Sequence, residues 1–167
     1  MTATAKIILN VDGVVDGTLD IGTATHKIQY GPSFAWGDGT GADQIKQIFT
    51  DQRTLAASAS EDLDLSGVLT NAFGVAIAFT KIRGIIIKAA ATNTNNVIVG
   101  GASATQFATW VGAATHTIVV RPGGMFALFA PDVTGYAVTA ATADLLKIAN
   151  SAGSSSVTYD ILLFGTV

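Results

Sequence analysis

Val157-Thr158-Tyr159-Asp160-Ile161-Leu162-Leu163-Phe164 decides the fold class. Val157, Tyr159, Ile161 and Leu163 fall on one face of an extended chain, and Thr158, Asp160, Leu162 and Phe164 fall on the other. The period is two, which is the period of a strand, and the second face is polar at one end only. Just upstream, residues 150–156 read as a loop, preceded by the apolar run Leu145-Leu146-Lys147-Ile148-Ala149. Thr117-Ile118-Val119-Val120 runs into Arg121-Pro122-Gly123-Gly124, a proline and paired glycines that make a turn, and restarts as Met125-Phe126-Ala127-Leu128-Phe129-Ala130. Lys81-Ile82-Arg83-Gly84-Ile85-Ile86-Ile87-Lys88 is rich in β-branched residues. The polar residues 92–96 separate it from Val97-Ile98-Val99, and Tyr136-Ala137-Val138-Thr139 is a further short run. Short strands at such intervals are the pattern of an all-β sandwich or barrel. Seven or eight of them between residues 51 and 167 fit a jelly-roll-like β-sandwich of about eight strands.

The first forty residues differ. Asp12, Asp16, Asp20 and Asp38 alternate there with many glycines. Ile7-Ile8-Leu9 and Lys27-Ile28-Gln29-Tyr30 read as short strands, and residues 37–41 as a flexible joint. Residues 42–49 have the spacing of a helical turn, with Ile45, Ile48 and Phe49 on one side. The expected organisation is an N-terminal arm or small β segment over residues 1–41 and a jelly-roll-like β-sandwich over residues 42–167.

Composition narrows the function. The 167 residues include no cysteine, so disulfides, thiolate metal sites and cysteine nucleophiles are excluded. Lys plus Arg is 9 against 12 Asp plus Glu, a net charge of −3, so no basic excess offsets a nucleic-acid backbone and no nucleic-acid partner is expected. Charged residues are 13%, about half the usual 25% or so. No apolar run approaches the roughly 20 residues of a membrane-spanning helix, so no membrane partner is expected either. A chain so poor in charge is expected either to bury an unusually large fraction of itself or to hide surface in an assembly, and the second is attractive because surface charge normally keeps a monomer soluble.

Candidate chemistry is sparse. Asp12-Gly13 and Asp16-Gly17, with Asp20, lack the alternating oxygens and late glutamate of an EF-hand and read as turns, so no metal is expected. Residues 37–41 lack the Gly-Lys-Ser/Thr ending of a phosphate loop. His26 and His116 have no serine elbow to serve. Glu61-Asp62-Leu63-Asp64 is the densest acidic patch, read as a solvated strand edge or an interface with a basic partner. Trp36, Trp110, Tyr30 and Tyr136 are too scattered to define a sugar platform and are expected in packing. No catalytic residue and no cofactor is expected.

One succession of phrases resembles a known group. Residues 51–67 (DQRTLAASASEDLDLSG) are followed by Asn71-Ala72-Phe73-Gly74 and by Phe79-Thr80-Lys81-Ile82-Arg83. Val120-Arg121-Pro122-Gly123-Gly124, Ala130-Pro131-Asp132 and Gly135-Tyr136-Ala137-Val138 come next. Leu145-Leu146-Lys147-Ile148-Ala149-Asn150 and Val157-Thr158-Tyr159-Asp160-Ile161 complete it. The succession resembles small all-β structural proteins of tailed bacteriophages, in particular jelly-roll capsid cement or decoration proteins. The resemblance implies a non-enzymatic virion component on the capsid exterior, a dimer or trimer that binds the major capsid protein. A carbohydrate- or receptor-binding module of a phage tail is the alternative. Interface residues are expected at Ile7, Ile8, Leu9, Tyr30 and Trp36 in the first segment, and at the turns carrying Arg121 and Pro131.

Overall fold

A computed structural model describes residues 2–167. The described residues contain no helix. In chain order the strands are β1 (Ala5–Ile8), β2 (Val11–Thr18), β3 (Thr23–Tyr30), β4 (Ser33–Asp38), β5 (Gln44–Ile45), β6 (Gln47–Leu55), β7 (Ser60–Asp64) and β8 (Leu69–Thr70). They continue as β9 (Ala76–Ile77), β10 (Lys81–Ala89), β11 (Val97–Gly100), β12 (Thr117–Val120), β13 (Met125–Phe129), β14 (Tyr136–Ala137), β15 (Leu145–Asn150) and β16 (Val157–Thr166).

Two sheets form a β-sandwich. One runs β13-β10-β16-β6, with β14 also paired to β10, and the other runs β12-β11-β15-β7. Every pairing within these two sheets is antiparallel. Numbered along the chain, the eight main strands therefore stand in the order six, three, eight, one in the first sheet and five, four, seven, two in the second. Consecutive strands alternate between sheets in most cases, and strands distant in sequence lie side by side.

The alternation in β16 shows why the core lies between the sheets. Val157, Tyr159, Ile161 and Leu163 are fully buried and pack with Ile85 and Ile87 of β10 and with Val97, Val99, Leu146 and Ile148 of the facing sheet. At one edge a polar cluster joins the two sheets. Arg53 of β6 donates to Glu61 of β7, Nε to Oε2 at 2.7 Å, and Tyr159 Oη donates to Glu61 Oε1 at 2.6 Å. Burial and then the Glu61 carboxylate hold the Tyr159 hydroxyl far above its ordinary range. At one end of the sandwich Asn95 and Asn150 tie loops together. Asn95 Nδ2 donates to Asn150 Oδ1 and to the carbonyls of Ala152 and Ser155, and Asn150 Nδ2 donates to the carbonyl of Ala56.

Residues 2–45 build a third layer. β4 pairs antiparallel with β1 and parallel with β5, and this small sheet lies on the outer face of the β13-β10-β16-β6 sheet. Ala3, Trp36 and Ile45 pack there against Phe164, with Ile48, Ile86, Phe129 and Leu162 around them. The Trp36 ring stacks on Phe164 at 5.5 Å between centroids. Gly84 makes room for it: a Cβ at that position would lie 3.2 Å from the Trp36 ring and 3.0 Å from Phe164. This layer explains the outer face of β16. Leu162 and Phe164 lie under the layer and are apolar, whereas Thr158 and Asp160 lie beyond it and bond to Thr54 and Gln52 of β6.

Two expectations for this region are corrected. Residues 42–49 form no helical turn but parts of β5 and β6, because both strand faces are covered: Ile45 and Ile48 serve the outer core and Phe49 the inner one. Residues 37–41 are not a free joint. The buried Arg83 side chain donates from Nη2 to the carbonyls of Thr40, Gly41 and Val133, and Gly41 N donates to Gln44 Oε1.

Asp38 fastens the layer. Its Oδ2 accepts from Lys46 Nζ at 2.7 Å and its Oδ1 from the Ala3 amide at 3.0 Å. Lys46 first, then the amide, lowers its pKa below the ordinary 3.8. The lowered value means that the carboxylate favours the folded layer at and above the ordinary pKa. That contribution is lost as pH falls below 3.8 through the folded value. The protection factors of the β1 and β4 amides, corrected for the pH dependence of intrinsic exchange, are expected to fall as pH is lowered through that window from about pH 5 to about pH 2. Asp38→Asn is expected to lower those protection factors at the upper end and flatten their profile.

Candidate functional site

Between β1 and β4 the chain leaves the sandwich and returns as the β2–β3 hairpin, paired from Val11↔Tyr30 to Thr18↔Thr23. Strand alternation sorts its residues into two faces. Val11, Gly13, Val15 and Gly17 share one face with their partners Tyr30, Ile28, His26 and Ala24. Asp12, Val14, Asp16 and Thr18 share the other with Gln29, Lys27, Thr25 and Thr23. The ribbon is therefore amphipathic. Yet β3 is exposed along its whole length and β2 nearly so; Val15 is 59% exposed and Tyr30 61%. A lone two-stranded ribbon is marginal in water, and the apolar face of this one is uncovered by the described residues.

At the ribbon's root lies an apolar groove of about 360 Å³. Ile7, Ile8, Leu9 and Tyr30 line one side, and Ile86 and Met125 of the sandwich line the other. Tyr30 belongs to both features, so ribbon face and groove form one continuous apolar surface.

The structure thus brings together four of the seven expected interface residues: Ile7, Ile8, Leu9 and Tyr30. Trp36 is a correction. It is 3% exposed because its ring fills the space between the N-terminal layer and Phe164. Arg121 and Pro131 are exposed, but they lie in turns at opposite ends of β13, a strand of about 14 Å, and neither lines the groove. Sequence reasoning missed the sandwich side of the groove, Ile86, Met125 and Ala127. The outer-face alternation of β10 and β13 was the available signal, since alternate residues there are apolar where solvent is expected.

The remaining candidates are held in structural contacts. Asp12 and Asp16 lie four residues apart on an extended strand, about 13 Å, too far for one cation, and Asp16 accepts from Thr25 Oγ1. Among the described residues no group of three His, Asp or Glu is placed to hold a metal. Of the acidic patch, Glu61 is engaged by Arg53 and Tyr159, and Asp64 accepts from the Ser66 amide. His26 lies on the ribbon and His116 in the loop before β12, so the two are in different layers. Trp110 and Tyr136 pack against the inner core, with Trp110 on Phe126 at 5.5 Å. Among the described residues no helix is long and apolar enough to cross a membrane.

No family model, no curated protein and no solved structure matches this chain.

Proposed function

We propose that this chain is a non-enzymatic structural protein of a tailed bacteriophage virion, a capsid cement protein that binds the major capsid protein on the shell exterior as a homo-oligomer. The observation that carries the reading is the continuous apolar surface of ribbon and groove, exposed on a chain with only 13% charged residues. Monomeric proteins seldom expose large contiguous apolar patches, and those that are present mark interaction sites. The strand order six, three, eight, one over five, four, seven, two supports a jelly roll, the architecture of the resembled cement proteins. Several modest contacts made at once by an oligomer on a repeating shell would sum to firm attachment. The tail-module alternative is less well supported. A glycan platform needs clustered exposed aromatic rings, and Trp36 and Trp110 are committed to two different cores.

The test is co-sedimentation of purified protein with empty capsids of its own phage. Saturable pelleting at a fixed ratio to the major capsid protein is the expected result. Protein that stays in the supernatant at every concentration overturns the cement reading, and glycan binding then becomes the next assay.

A further inference from the structure

We propose that the β2–β3 ribbon is a self-association element: in a two-fold dimer, the ribbon of each copy lays its apolar face across the groove of the other. This deepens the reading of an oligomeric virion protein and rests on the homo-oligomer part of it.

Three observations point to a second copy. The first is the chemistry of the face. Val11, Val15, Ala24, Ile28 and Tyr30, with His26, carry no carboxylate, lysine or arginine, while Asp12, Asp16 and Lys27 all lie on the opposite face. Two such faces meet another apolar surface with no Asp, Glu, Lys or Arg charge buried, and the groove lining carries none either. The second is self-complementarity. An apolar ribbon face and an apolar groove occur on the same chain and share Tyr30, which is the self-complementary pair that an isologous two-fold contact requires.

The third is area. Eight residues at about 3.4 Å each make the ribbon about 27 Å long, and two strands make it about 10 Å wide, or roughly 270 Å² of face. Ribbon against ribbon would bury roughly 540 Å² in projection, well below the 1,200 Å² or so at the lower end of stable interfaces. Exchanging ribbons over grooves doubles this to roughly 1,100 Å² of projected area, and side chains standing out of plane add to it. The reciprocal arrangement comes close to the lower end of stable interfaces, whereas the ribbon-only one falls at less than half of it. The exchange also gives each ribbon the opposing surface that a two-stranded ribbon lacks in water.

Sedimentation equilibrium across a concentration series tests this. The wild-type chain is expected at twice its 17.0 kDa mass. The double variant Val15→Asp/Ile28→Asp is expected at the single mass, with an unchanged thermal midpoint of the sandwich. Met125→Asp, on the groove side and on an exposed position of β13, is expected to give the same loss without touching the ribbon. A monomeric wild type overturns the proposal, as does a dimer that persists in both variants. A trimer overturns the two-fold exchange. Pelleting with capsids is read separately. A wild-type monomer whose pelleting is abolished by Val15→Asp/Ile28→Asp assigns the ribbon to the shell and overturns self-association while leaving the cement reading intact. A dimer that does not pellet does the reverse.

Discussion

Replacing Trp36 with alanine is expected to detach the N-terminal layer from the sandwich while leaving the sandwich folded. Trp36 is the largest side chain of the outer core, is 3% exposed, and touches Phe34, Phe129 and Phe164 through its ring. Truncating a buried tryptophan costs about 3–5 kcal/mol. The rest of that small core is Ala3, Ile45 and Phe164 with partly buried neighbours, too little to absorb such a loss. Limited proteolysis is expected to cut within residues 2–45, with cooperative unfolding of the remainder preserved. Retained protection would show that the Arg83 and Asp38 contacts hold the layer without the ring. Trp36→Phe is the informative partner. The Trp36 indole Nε1 is buried without a hydrogen-bond partner among the described residues, and an orphaned donor costs about 1–3 kcal/mol. Phenylalanine keeps most of the contact and removes that donor, so its loss is expected to stay below about 1.5 kcal/mol.

The second large effect is expected at Gly165. It lies in β16 opposite Ile82, where the β10–β16 register shifts. A Cβ there would overlap the carbonyl oxygen of Lys81 and come within 2.7 Å of Phe79 Cδ1. The backbone of the central strand pair must move to admit it, so Gly165→Ala is expected to cost about 3 kcal/mol. Denaturant unfolding should show the midpoint of the whole sandwich falling. Gly17→Ala, on the ribbon with nothing within 4 Å of the added methyl, is expected to change stability by less than about 1 kcal/mol. Equal losses at the two sites would refute the steric account.

How much of this was legible in the sequence depends on what covers each strand. β16 was plain, because its inner face is apolar throughout. Its mixed outer face was visible too, but the cause was not. Leu162 and Phe164 are apolar because a segment more than a hundred residues away lies on them, and no local period encodes that partner. The same blindness explains residues 42–49. Strands covered on both sides can place Ile45, Ile48 and Phe49 at helical spacing by coincidence. Trp36 was expected in packing or among the interface residues of the first segment. Its burial depends on Gly84, which leaves the outer sheet hollow beneath it. Ile7, Ile8, Leu9 and Tyr30 converge on one groove. The groove's other wall comes from β10 and β13, and only the fold brings the two walls together.

The position of β16 also sets the pace at which the molecule forms. It follows β6 and β10 in sequence and yet lies between them, paired with β6 on one side and β10 on the other. Thr158 and Thr54 lie side by side although about a hundred residues separate them. During synthesis β6 and β10 have no mutual pairing to adopt and must wait for residues 157–166 to be inserted between them. Chains dominated by such distant pairings fold in milliseconds to seconds rather than microseconds. Until that insertion, the apolar flanks of Phe49, Ile85 and Ile87 are open to neighbouring chains, so the yield of native protein is expected to depend on how dilute the nascent chains are.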